Sequence, residues 1–219
     1  MQPFENEIVI KRVVAPLFKW PANIISYIFH PIFIPLYAVA FLVYVHPSFF
    51  VGFSASGKLQ TVFITFINLV AFPLLTVVLL KALGFIDSVF LQSRRDRIIP
   101  YMACGIFFFW AYTVFKKEGS YPPVMASFIL GVFLTASAGL LANIYFKISM
   151  HAMGVGGLLG LFMVLAYYNS MLMTWPLALA FILAGLVCTA RLLVSSHSER
   201  DIYMGIVVGI AAQIIAAAV

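Results

Sequence analysis

The sequence predicts an all-α fold, a polytopic membrane helix bundle of about seven transmembrane helices, and three observations carry that prediction. Hydrophobic residues fill 64% of the 219 positions and charged residues 9%, a balance that water-soluble domains do not sustain. The apolar residues fall in runs of about 20, the length an α-helix needs to cross the hydrocarbon core. These runs are too long and too uniformly apolar for the alternating strands of a barrel, and an open sheet would leave unpaired backbone groups facing lipid.

The first 20 residues, MQPFENEIVIKRVVAPLFKW, mix acids and bases and lack both a clean apolar stretch and a small-residue cleavage site. No signal peptide is expected, and the first span serves as its own insertion signal. Residues 8–20 alternate basic and apolar groups and read as a short helix lying in the membrane interface. Residues 1–22 form an interfacial or flexible N-terminal segment, and 23–219 form the transmembrane domain. The spans are expected at 24–45, 60–85, 98–116, 122–146, 151–171, 174–193 and 202–219. In the first of them His30 is followed by Pro31 and Pro35, which marks a buried kink, with a broken helix as the alternative. The turns KKEGSYPP (116–123) and NSMLMTWP (169–176) carry the Gly, Pro and Trp expected where a helix leaves the bilayer. The run GVGGLLG (154–160) lies inside a span and has no following Lys-Ser or Lys-Thr, which assigns it to close helix packing and not to a phosphate loop. Cys104 and Cys188 both lie in apolar runs and read as small packing residues.

Seven spans put the termini on opposite sides and sort the connections between two faces. One face receives the weakly polar loop 46–59, Lys116 and Lys117 with Glu118, and an uncharged turn. The other receives DSVFLQSRRDRIIP (87–100), NIYFKISMHAMG (143–154) and ARLLVSSHSERDIYMG (190–205). Ionisable groups at the edge of a bilayer are costly and are retained for function. The net charge of +6 fits anionic headgroups or a phosphate-bearing ligand, with no nucleic acid expected as a partner.

Each of the three polar segments brings distinct chemistry. Arg191, His197 and Asp201 form the pattern Arg-x5-His-x3-Asp. With the last span starting near Ser198, His197 and Asp201 lie one helical turn apart on one face. A carboxylate there can accept a hydrogen bond from one imidazole nitrogen and leave the other free to attack an electrophile. Arg191 offers the planar fork that suits phosphate oxygens. Ser198 and Asp201 also read as a capping box for the last helix. In Lys147-Ile148-Ser149-Met150-His151, Ser149 is the candidate cap. The backbone N–H groups behind it, beside Lys147, make an anion site, and His151 is placed to give a proton to a leaving oxygen. Arg94-Arg95-Asp96-Arg97 precedes Pro100, and one or more of its guanidinium groups completes the phosphate cradle, the spacing leaving open which. No HExxH, cysteine pair or carboxylate cluster is present, so neither a metal site nor a cofactor is expected.

These residues resemble the type 2 phosphatidic acid phosphatase superfamily, which shares its core with vanadium haloperoxidases and carries the motifs Lys-x6-Arg-Pro, Pro-Ser-Gly-His and Ser-Arg-x5-His-x3-Asp. Arg191, His197 and Asp201 match the third with full spacing, with Ala190 in place of its Ser. Ile148-Ser149-Met150-His151 keeps the Ser and His of the second. Arg97 matches the Arg of the first, followed by Ile98 in place of Pro, with Phe90 where the family has Lys and with Arg94 or Arg95 as a substitute cation. The resemblance covers roughly residues 90 to 215.

It implies that His197 is a nucleophile forming a phosphohistidine, that Asp201 orients it, and that His151 protonates the leaving group and later helps to activate water. Arg97, Arg191 and the backbone near Ser149 would bind phosphate, and no metal is required. The implied activity is hydrolysis of the phosphate monoester or diphosphate of a lipid such as a prenyl diphosphate, phosphatidate or phosphatidylglycerol phosphate. The departures in the first two motifs motivate an alternative, a catalytically inactive lipid-phosphate binding or transport protein. The expected location is the bacterial inner (plasma) membrane. Ten of the 13 Lys and Arg residues lie on the motif-bearing face, which points it to the cytoplasm, whereas the family's bacterial members more often face away.

Overall fold

The structure is a computed structural model that describes residues 16–168, 173–195 and 197–219. Among the described residues the chain is an all-α membrane bundle. In order come α1 (Pro16–Ile28), α2 (Ile34–Ala40), α3 (Ala55–Phe66), α4 (Phe72–Ala82), α5 (Arg94–Lys117), α6 (Pro123–Tyr145), α7 (Met150–Tyr168), α8 (Thr174–Val194) and α9 (Glu199–Ala217). A π-helical turn, Phe41–Val45, extends α2, and a second, Ile67–Ala71, joins α3 to α4. Six helices are long and apolar enough to cross a membrane: the continuous Ala55–Ala82 helix and α5 to α9. The local signals are the expected ones. Ser54, Ser93 and Ser198 each cap a helix by accepting from the backbone three residues on, and prolines open α2, α4 and α6.

The span expected at 24–45 is divided. Its backbone leaves the helix at residues 29–33, where Pro31 and Pro35 deny helical hydrogen bonds and push the preceding residues away from α geometry. Helix α1 runs unbroken across residue 22 and lays Ala22 and Ser26 in its buried face, packing along α8. The twelve residues Ile34–Val45 rise only about 18 Å, short of the hydrocarbon thickness. Residues 46–54 complete the passage to the far face, where Phe53 stacks near Tyr121 at 5.8 Å between ring centroids. Of the interfacial helix expected at 8–20, residues 8–15 lie outside the described residues, as do residues 169–171 of the fifth expected span.

Helix α7 is the most enclosed, with two thirds of its apolar window buried. It packs most extensively on α9, and glycines make that contact possible. A Cβ on Gly156 would lie 2.5 Å from the Ile206 carbonyl oxygen, and one on Gly209 would overlap the carbonyl of Met153. The backbones therefore touch, as small-residue interfaces allow inside membranes. This is where the glycine run 154–160 sits. In the continuous Ala55–Ala82 helix, Thr61 and Thr65 turn their hydroxyls back to the carbonyls of Gly57 and Thr61, and Asn68 donates to the Ile64 carbonyl, so these buried polar groups are satisfied within the helix. Cys188 is buried and Cys104 half-buried, both as free thiols.

Candidate functional site

Three connections return to one face: the loop before α5, residues 146–149 before α7, and residues 197–198 before α9. Direct hydrogen bonds tie them together. The Arg97 guanidinium donates through Nη1 to the Ile148 carbonyl at 2.9 Å and through Nε to the Leu91 carbonyl at 2.9 Å. His197 Nδ1 lies 3.0 Å from the Lys147 carbonyl, and the Ser149 amide donates to the Asp201 carbonyl at 3.2 Å. Residues about 50 positions apart in sequence thus form one polar layer at the ends of α5, α7, α8 and α9.

The imidazole of His197 is buried at 4% exposure. A carbonyl can only accept, so Nδ1 carries the hydrogen and Nε2 keeps its lone pair. Asp201 lies farther away, its Oδ2 3.9 Å from Nδ1. That carboxylate is engaged in the capping box, where it accepts from Ser198 N at 2.7 Å while Ser198 Oγ accepts from Asp201 N. The hydrogen-bond partner that orients His197 is therefore a backbone carbonyl and not the expected carboxylate. Burial, followed by the charges of Arg97, Arg191 and Lys147, pushes the His197 pKa down to about 3.

His151 stands in the first turn of α7 with Nε2 3.1 Å from the Ser26 carbonyl of α1, which fixes the hydrogen on Nε2. His30, in the break after α1, meets the His151 ring edge to face at 5.2 Å between centroids. Its Nδ1 accepts from Ile32 N at 3.4 Å, and burial together with Arg191 pushes its pKa down to about 4. His30 is the residue that the polar-face argument did not assign to the site. Its pairing with Pro31 was the available signal, since a break that interrupts a span exposes backbone and side chain at one depth.

Arg191 occupies the last turn of α8, and its charge acts on both His30 and His197. Its Nε is buried with no hydrogen-bond partner among the described residues. An orphaned guanidinium N–H is expensive unless an anion or ordered water completes it, and the site around Arg191 is rich in positive charge. Arg97 is buried in the first turn of α5, where the helix dipole disfavours a cation. That placement is sustained by carbonyl acceptors and suits a shared anionic ligand.

The remaining candidates separate. Arg94 is buried but directed to the end of α6, donating to the Ile144 carbonyl at 3.3 Å while its own carbonyl accepts from Asn143. Arg95, one position on, is exposed and points away from the polar layer. Ser149 is fully buried beneath the site, and its Oγ accepts from Ala152 N at 3.4 Å as the expected cap of α7. Its amide is already committed to Asp201. Lys147 is half-buried with its carbonyl on His197.

Both His30 and His197 have pKa values below the usual 6.5 or so. The unfolded chain therefore takes up protons first, and the stability these groups lend is full above that value and is lost as pH falls toward 4 and 3. The melting temperature of the detergent-solubilised protein is expected to drop on acidification from pH 7 to 4.5, and a His30→Gln/His197→Gln double variant is expected to show a flatter profile.

No protein-family model, curated protein or solved structure matches the chain.

Proposed function

We propose that this integral membrane protein is a phosphatase of the bacterial inner membrane, similar in its chemistry to the type 2 phosphatidic acid phosphatases, that hydrolyses a lipid phosphate or diphosphate through a phosphohistidine. The observation that carries the reading is the meeting of His151, His197, Arg97 and Arg191 in one layer, with a buried Arg191 N–H that lacks an acceptor among the described residues. In this reading Arg97, Arg191 and Lys147 hold the non-bridging oxygens. The Nε2 lone pair of His197 attacks phosphorus as the bond to the lipid oxygen breaks. His151 takes up a second proton on Nδ1 from water as the substrate's phosphate brings negative charge into the layer, and gives that proton to the leaving oxygen. Water then attacks phosphorus as the bond to His197 Nε2 breaks and its electron pair returns to the ring; the water gives a proton back to His151 and inorganic phosphate is released. A low His197 pKa supports this order of events, because the nucleophile stays neutral in the presence of several cations.

The commitment of Asp201 to the helix cap favours a second reading, a lipid-phosphate binder without turnover. Purified protein in lipid nanodiscs is expected to release phosphate from farnesyl phosphate or a short-chain phosphatidate, and vanadate is expected to inhibit that release. Saturable binding of the same lipids with no phosphate released would overturn the phosphatase reading in favour of the binder.

A further inference from the structure

A cavity of about 520 Å³ opens from this polar layer into the bundle, within the range of pockets that hold a small molecule. His30, Arg97 and Leu91 border its upper end. Below them the walls turn apolar: Phe108, Val132, Ala136, Met153 and Leu158 on the inner side, and Pro73, Leu74, Val77 and Val78 of α4 on the outer side. At the bottom lies Gln213, buried at 3% exposure, its Nε2 donating to the Phe128 carbonyl at 3.3 Å and its side chain pressed against Gly131. Along α9 the distance from Asp201 to Gln213 is twelve residues, or about 18 Å.

The cavity is also open sideways. Helix α4 packs on α5 but has no comparable packing on α2 among the described residues, and Tyr27, Leu74, Val78 and Phe90 line the cavity while remaining exposed on the outer surface.

From this geometry we infer that the cavity is a binding site for one hydrocarbon chain of the lipid whose phosphate occupies the polar layer, entered sideways between α2 and α4 and closed at its far end by Gln213. The inference rests on the phosphatase reading for the identity of the headgroup site. Three observations favour this occupant. The lining is nearly free of polar groups below Arg97, so water finds few partners there. One end of the cavity is bordered by Arg97 and His30 of the polar layer, which matches a ligand with one charged end. The lateral gap faces the compartment in which such a ligand resides. Because lipid tails are as apolar as the cavity wall, burial alone gives no gain over the bilayer, and the site discriminates by shape and depth.

The test combines turnover with a readout independent of it, both in nanodiscs. Ala136→Phe narrows the cavity midway, and the ratio of kcat/KM for hexadecyl over butyl phosphate is expected to fall at least tenfold; partitioning into disc lipid is common to both proteins and cancels. Gln213→Ala deepens the site and is expected to raise that ratio. In the wild type, hexadecyl phosphate carrying a diazirine at its chain end is expected to label residues 128–136 or 210–213 on irradiation. Labelling confined to lipid-facing positions such as Leu75 or Leu79, or unchanged ratios in both variants, overturns the inference even if phosphate is released. Internal labelling with no phosphate released from any substrate leaves the chain site standing and removes the phosphatase reading instead.

Discussion

Replacing His197 with Ala is expected to lower phosphate release from a lipid phosphate by at least about ten-thousand-fold, the scale on which removal of a covalent nucleophile acts. The imidazole is buried, its Nδ1 bonded to the Lys147 carbonyl, and it stands beside three cations. The other two imidazoles are oriented by other partners, His151 through Nε2 on the Ser26 carbonyl and His30 through Nδ1 on the Ile32 amide, and neither has the Lys147 contact that aims His197. The informative companion is Asp201→Asn. Were the carboxylate the group that sets the His197 tautomer, its amide would cost nearly as much as loss of the nucleophile. With the Lys147 carbonyl in that role and the carboxylate 3.9 Å away, the expected loss is within about tenfold, accompanied by a cap weakened by about 1 kcal/mol. The measurement is single-turnover phosphate release with quantitation of acid-labile phosphohistidine. Equal, near-total losses in both variants would return the orienting role to Asp201.

The second large effect concerns the α7–α9 seam. Gly209→Ala is expected to destabilise the protein by about 3 kcal/mol, at the upper end of overpacking costs. The new Cβ would meet backbone atoms of Met153, Gly156 and Gly157, none of which can rotate out of the way. The two helices would have to separate, and α9 carries Asp201 while the residues just before it carry His197. Folded yield, melting temperature and phosphate release should fall together. Gly105→Ala in α5, where a Cβ meets nothing within 4 Å, is the matched control and should leave all three unchanged. A Gly209→Ala protein with wild-type melting behaviour would show that the seam tolerates separation.

Much of this architecture can be read in the sequence, because membrane spans are written in composition. The apolar runs locate the six long helices to within a few residues, and their alternating direction brings residues 94–97, 147–151 and 191–201 to one face without any tertiary information. What the sequence left unresolved follows from physics that composition does not encode. Hydropathy averages across the break at residues 29–33, so His30 reads as part of a span, although its two neighbouring prolines argue otherwise. Arg94, Arg95 and Arg97 are equivalent in a charge count. Once Ser93 caps α5, helical periodicity sends the first and third of them inward and Arg95 outward. The acceptor for His197 is a main-chain carbonyl, which every residue possesses and which therefore leaves no signature. Asp201 is the converse case: its capping role and its orienting role predict the same residue at the same spacing, and only distance separates them.

The π-helical turn at Ile67–Ala71 has a consequence for how the outer wall is cut. Thr61 and Thr65 of α3 and Asn68 at the start of the turn form one inward stripe, and unbroken α periodicity would carry that stripe on through Phe72 and Leu79. Both of those are exposed, and the buried residue is Pro73. The wide turn acts as a vernier: it absorbs one extra residue, so the thread of the helix slips by a single position and Pro73 takes the buried place that Phe72 would have held, with Val77 one turn on at the cavity wall. The bore of the molecule on that side is thus gauged by one residue of phase.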